Sequence, residues 1–136
     1  SEYIKNEFQK LDIYKRIAAI DSEDDYYDIQ EELEDRFGNI PMSVQNLLEI
    51  ALMKADANKA EIMSIEQTKD IVKLFMKPTA NIDASKIPDL LKQFNNKVQF
   101  TVIERPYFEL SIKKLNKKEA FLQINTLIGE IKGLKC

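Results

Sequence analysis

Glu32 and Asp35 are the residues whose types and spacing first suggest chemistry. Three residues apart on a helix, two carboxylates share one face, and together they can meet a basic partner surface. Arg36, four residues after Glu32, offers a simpler use, an ion pair along the helix worth about 0.3–0.5 kcal/mol. The two acids close a run from Asp21 to Asp35 with nine acids (Asp21, Glu23, Asp24, Asp25, Asp28, Glu31, Glu32, Glu34, Asp35) and no base before Arg36. Its first part, to Asp28, reads as a solvated helix face with several acids near a positive helix start. A second charged group is basic: Lys113, Lys114, Lys117 and Lys118 fall at a strand-to-helix junction. Nucleic-acid recognition through them would be expected to bring arginines, interleaved aromatics and a pI above about 9. The sequence pI is ≈ 5.1 and tryptophan is absent, so these lysines read as solvated, with a nucleic-acid-facing module through Lys113–Lys118 as the alternative.

Missing residue types exclude more. There is no histidine, which removes the usual activation of Ser and Cys nucleophiles and the commonest transition-metal ligand. One cysteine, Cys136, builds neither a zinc nor an iron–sulfur site. Gly38, Gly129 and Gly133 are the three glycines; no phosphate-binding glycine loop can be written from them. A paired-carboxylate hydrolase stays formally open because acids are plentiful, but nothing else points to a pocket. The expectation is therefore no catalytic residue, no metal and no cofactor in this chain.

At 136 residues with 44% hydrophobic and 32% charged residues and a net charge of −3, the expectation is one globular domain, 1–136, able to bury a core. No segment has the roughly 18 unbroken apolar residues of a membrane span, and no signal-peptide pattern opens the chain. Sparing use of cysteine fits a reducing, cytoplasmic compartment. Ser1 rather than methionine comes first, which reads as an expression scar on a domain cut from a longer chain. Charge is unevenly placed: residues 1–85 carry 10 bases and 18 acids, and residues 86–136 carry 10 bases and 5 acids.

The elements that must position these groups follow from periodicity. Ile4, Phe8 and Leu11 form one apolar stripe and Ile13, Ile17 and Ile20 another, so the first helix is expected to be covered on two sides. Ser22 suits the N-cap of a second helix with Tyr26, Ile29, Leu33 and Phe37 inward. Gly38 suits its end, and Pro41 the first turn of a third helix that buries Val44, Leu47, Leu48, Ala51 and Ala55. Ile62–Thr68 and Ile71–Lys77 read as a hairpin. Asp83–Phe94 is helical through Ile87, Leu90, Leu91 and Phe94. A second hairpin alternates Val98, Phe100, Val102 and Phe108, Leu110, Ile112, with Pro106 at its turn. Asn116 and Glu119 resemble a capping box before a last helix with Phe121, Ile124, Leu127, Ile128 and Ile131 inward. Helices followed by two ββα units predict an α+β fold with a four-stranded, mostly antiparallel sheet.

Three blocks stand in order: Tyr14-Lys15-Arg16-Ile17-Ala18, then Glu32-Leu33-Glu34-Asp35-Arg36-Phe37-Gly38 with Pro41, then Leu47-Leu48-Glu49-Ile50-Ala51. This pattern resembles the C-terminal domain of the bacterial transcription-repair coupling factors. The resemblance covers the whole chain by layout and is specific over about its first 65 residues. Glu61 departs from it, standing where a glycine is expected before the strand. The resemblance implies a parent protein that is an ATP-driven DNA translocase, with ATP and Mg held by its motor and not by this domain. It also implies a regulatory role: packing against an N-terminal repair-helicase-like module of the same chain, masking the surface that recruits the excision-repair damage-recognition protein, and restraining the motor that acts on RNA polymerase and DNA. Glu32, Asp35 and Arg36 match the interdomain contact. Phe37, Gly38 and Pro41 match as structural positions. No membrane partner is implied.

Overall fold

In a computed structural model, residues 3–136 are described; Ser1, read above as a scar, lies outside them. The chain divides into two compact units, residues 1–56 and 57–136.

The first unit is helical. Helix α1 (Glu7–Ala18) starts at Asn6, whose side chain accepts from the backbone N–H groups of Phe8 and Gln9. Helix α2 (Glu23–Phe37) starts at Ser22, whose hydroxyl accepts from Asp25 N–H. The exposed first-turn donors are satisfied in each case. Gly38 ends α2 at φ +87° and ψ −161°, a region open essentially to glycine alone. Helix α3 (Met42–Lys59) follows. Pro41 lies one residue ahead of it, and its carbonyl accepts from Val44 and Gln45 N–H. The core joins Ile4, Ile13, Ile17, Ile20, Tyr26, Ile29, Leu33, Val44 and Leu48.

Two inward assignments are corrected here. Phe8 and Leu11 are 85% and 57% exposed, so α1 buries one stripe and not two. Ile13 and Ile17 take the core side, and Phe8 and Leu11 fall on the opposite side of the same short helix. Leu47 on α3 is also exposed, while its neighbour Leu48 is fully buried. A 3.6-residue turn puts consecutive residues about 100° apart, so only one of two adjacent leucines can point straight inward.

The second unit holds the sheet. Strands β1 (Ile62–Gln67), β2 (Ile71–Met76), β3 (Val98–Ile103) and β4 (Arg105–Ser111) are ordered β1-β2-β4-β3, and every pairing is antiparallel. Alternation places Val72, Leu74, Met76, Phe108 and Leu110 on the buried face. A short 3-10 turn (Ala84–Lys86) and α4 (Ile87–Gln93) separate the hairpins, and α5 (Lys117–Lys132) ends the unit. Helix α5 brings Ala120, Ile124, Leu127, Ile128 and Ile131 into the core. Its capping box is complete: Asn116 Oδ1 accepts from Glu119 N–H at 2.8 Å, and Glu119 Oε1 accepts from Asn116 N–H at 3.0 Å.

The second hairpin turns elsewhere than expected. Glu104, at φ +61°, makes the turn, and Pro106 lies inside β4 opposite Val102. The β2 pairing begins at Tyr107, so the missing N–H of Pro106 breaks no ladder there. Val102, expected inward, is exposed beside that turn. Glu61, in place of the expected glycine, adopts φ +64°. Its carbonyl accepts from Lys77 N–H and its carboxylate from Asn81 N–H, contacts that hold a backbone conformation uncommon for a side-chain-bearing residue.

Candidate acidic face and its arginines

The shared core of α1 and α2 fixes the site. Ile13 and Ile17 pack in one cluster with Ile29 and Leu33, and Arg16 and Glu32 stand beside these residues in sequence. Arg16 Nη1 and Nη2 donate to Glu32 Oε2 and Oε1 at 2.7 and 2.9 Å, a two-pronged match of planar guanidinium to carboxylate. Arg36 Nη1 donates to the same Oε2 at 2.7 Å. Glu32 is therefore the shared acceptor of an Arg–Glu–Arg triad. The bonds from Arg16, then those from Arg36, hold its carboxyl well below the usual carboxylate range, at about 2. The bond to Glu32 in turn raises the pKa of Arg16.

This corrects the picture of two carboxylates projecting freely together. The charge of Glu32 is engaged inside the first unit, by the Arg36 pairing weighed above and also by Arg16, which the spacing along α2 could not reveal. Asp35 is exposed and has no hydrogen-bond or ion-pair partner among the described residues. Arg36 is 40% exposed as a side chain, and its guanidinium carbon lies 5.0 Å from the centre of the Phe37 ring. The face presented to solvent is thus Asp35 beside a half-exposed Arg36, braced by Arg16 and Glu32.

The end of α2 is braced as well. The Tyr3 hydroxyl lies 2.7 Å from Gly38 O and 3.0 Å from Leu33 O, so its one proton ties the chain start to the last turn of α2 and the glycine that ends it. Its ring packs at 5.7 Å from Phe37, and burial, with Glu34 nearby, raises the phenol pKa. Phe37 is half-buried against the core. Next to the triad, Arg16, Ala19, Asp25, Asp28 and Ile29 line an open cleft of about 280 Å³. Among the described residues no cluster of acids or cysteine is placed to hold a metal ion.

Sequence reasoning passed over Arg16 and Tyr3. Arg16 carried a signal, since it stands in the Tyr14–Ala18 block; Tyr3 carried none beyond its aromatic character. The four lysines of the junction, Lys113, Lys114, Lys117 and Lys118, are all exposed.

Helices leading into two ββα units, with an ion-paired α1–α2 corner, define an α+β fold. The family model described as the TRCF domain matches residues 1–87, and the chain belongs to this family. Proteins named transcription-repair-coupling factor are similar to it: that of Bacillus subtilis is 33% identical over 135 residues, 98% of this chain and 11% of the relative. That of Borreliella burgdorferi is 30% identical over 133 residues, 98% of this chain and 12% of the relative. That of Staphylococcus aureus strain USA300 is 38% identical over 85 residues, 61% of this chain and 7% of the relative. The chain thus spans about a tenth of the length of the curated relatives it matches. A solved structure titled as the C-terminal domain of transcription-repair coupling factor superposes with a TM-score of 0.81 at 24% identity, covering 98% of this chain and 84% of the other. The fold is shared with that domain.

Proposed function

We propose that this chain is a regulatory, autoinhibitory domain of a transcription-repair coupling factor, acting by binding and not by catalysis. It docks on an N-terminal repair-helicase-like module of the same polypeptide. The docked state masks the surface that recruits the excision-repair damage-recognition protein. It also restrains an ATP- and Mg-dependent DNA translocase that acts on RNA polymerase in the cytoplasm. The observation that carries this reading is Asp35: an exposed carboxylate without a partner among the described residues, held at the end of a braced helix beside the half-exposed Arg36. Family membership supports the setting in transcription-coupled DNA repair.

A contact built on Asp35 and Arg36 is weak by design. Exposed ion pairs contribute about 0.2–1 kcal/mol each. Within one polypeptide such a contact still suffices, because tethering gives a high effective concentration, and a small differential affinity can then open it. The test is the full-length protein carrying Asp35→Arg. The expected result is a higher basal ATPase and stronger binding of the damage-recognition protein. ATPase and binding both equal to the wild type would refute the assignment. Asp35 is exposed and has no hydrogen-bond or ion-pair partner among the described residues, so the variant is expected to keep its structure, which circular dichroism checks.

A further inference from the structure

The second unit carries 14 Lys+Arg against 9 Asp+Glu, while the first carries 6 against 14. The excess in the second unit gathers at one end of its sheet. Lys69 lies in the β1–β2 turn next to Asp70, whose carbonyl accepts from Ile112 N–H at 2.8 Å. Lys97 precedes β3, and its carbonyl accepts from Ser111 N–H at 2.8 Å. Lys113 and Lys114 come straight after Ile112, where the bond from Leu115 N–H to Ile112 O makes a turn. Lys117 and Lys118 open α5. Six lysines from three separate stretches of sequence thus share one end of the unit. All six are exposed, and none has an acidic partner among the described residues. The acids beside them in sequence are Asp70 and Glu119, and Glu119 is already bonded to Asn116 N–H; Glu66 and Glu109 stand further along the strands, in register with Lys73.

We propose that this lysine end of the sheet binds the phosphate backbone of duplex DNA without regard to sequence. Three features choose this ligand. The charges are spread over two turns and a helix start, which suits a polyanion better than a single phosphate. The capping box already uses Glu119 N–H at the start of α5, so the site is a set of point charges and not a backbone cradle. Lysines without arginine or an exposed aromatic among them hold phosphates and do not read bases. A lipid surface would need apolar residues beside the charge. The exposed pair Val102 and Ile103 sits at the β3–β4 turn, the other end of those strands, and the exposed Leu122, one turn after Lys118 on α5, is a single apolar side chain and not the stripe that a membrane-lying helix presents. This surface is independent of Asp35 and of the docking proposed above.

The experiment is fluorescence anisotropy of a labelled 20-bp duplex with the 136-residue chain from 50 to 200 mM NaCl. With about five lysines engaged, log K falls against log salt with a slope near −4.5, roughly a 500-fold loss across that range. Lys69→Glu with Lys97→Glu is expected to weaken binding at 50 mM NaCl at least tenfold and to lower the slope by about 2. Lys86→Glu with Lys132→Glu makes the same change in net charge elsewhere on the unit, and is expected to stay within about twofold. Circular dichroism should be unchanged in both, because every substituted side chain is exposed. No binding of the duplex at 50 mM NaCl and about 100 μM protein overturns the proposal. So does equal weakening by the two double variants, or binding to phosphatidylserine vesicles without binding to the duplex.

Discussion

Glu32→Gln removes the shared acceptor of the triad while keeping its size. Two guanidiniums that converge on Glu32 Oε2 would then face each other with no charge between them. In a dry site, a carboxyl held at about 2 against an unfolded value near 4.3 would be worth about 3 kcal/mol. The side chains of Arg16, Glu32 and Arg36 are 38%, 33% and 40% exposed, and water screens much of that, leaving about 1–2 kcal/mol. The folded-state pKa is depressed, so the contribution is complete above the unfolded pKa. It is lost as pH falls from about 4.5 toward 2. Urea unfolding of wild type and variant from pH 2 to pH 7 gives the difference directly, because the substituted amide does not titrate. The expected difference is flat above pH 5, shrinks steadily below it, and drops by about half in 1 M salt. A gap under about 0.3 kcal/mol at pH 7, or one that does not change with pH, would refute the triad as a stabilising unit.

Gly38→Ala meets no atom within 4 Å at the added carbon, so its cost is conformational and should be about 1–3 kcal/mol in urea. A value near zero would show that α2 ends otherwise. Leu33→Ala, at a fully buried position, should cost about 2–5 kcal/mol, while Phe8→Ser should stay within about 0.5 kcal/mol. A large loss from Phe8→Ser would mean that α1 is covered on both sides after all.

Local signals carried most of the fold into the sequence. Ser22, Gly38, Asn116 and Glu119 mark helix ends through bonds and dihedrals that span only a few residues, and each does so in the structure. The strands were legible because alternation is also local, as at Val72, Leu74 and Met76. Failures came where a partner lay far along the chain. An apolar stripe such as Phe8–Leu11 shows that a helix face can be covered, not that anything covers it. Pro106 marks a break in hydrogen bonding, but the break fell at a point in β4 that β2 does not reach. The candidate site failed in the same way: spacing along α2 pairs Glu32 with Arg36 but is blind to Arg16, sixteen residues away on another helix.

That blindness changes what the acidic motif means. The Tyr14–Ala18 and Glu32–Gly38 blocks meet through Arg16 and Glu32, so a folding requirement is enough to account for both residues in the pattern. Phe37 and Gly38 are accounted for by the core and by the backbone at φ +87°. Arg36 is half accounted for, since one of its nitrogens serves Glu32. Glu34 and Asp35 are the charged residues of the Glu32–Gly38 block that stand exposed without a side-chain partner among the described residues, and of the two it is Asp35 that the resemblance places in the interdomain contact. The docking role proposed above is therefore assigned to Asp35 and the open side of Arg36, with Glu32 as the brace bonded to Arg36. Substituting Glu32 would disturb docking only through Arg36 and at a cost in stability, whereas substituting Asp35 would disturb docking with none. The two variants separate a residue that builds the surface from a residue that meets the partner.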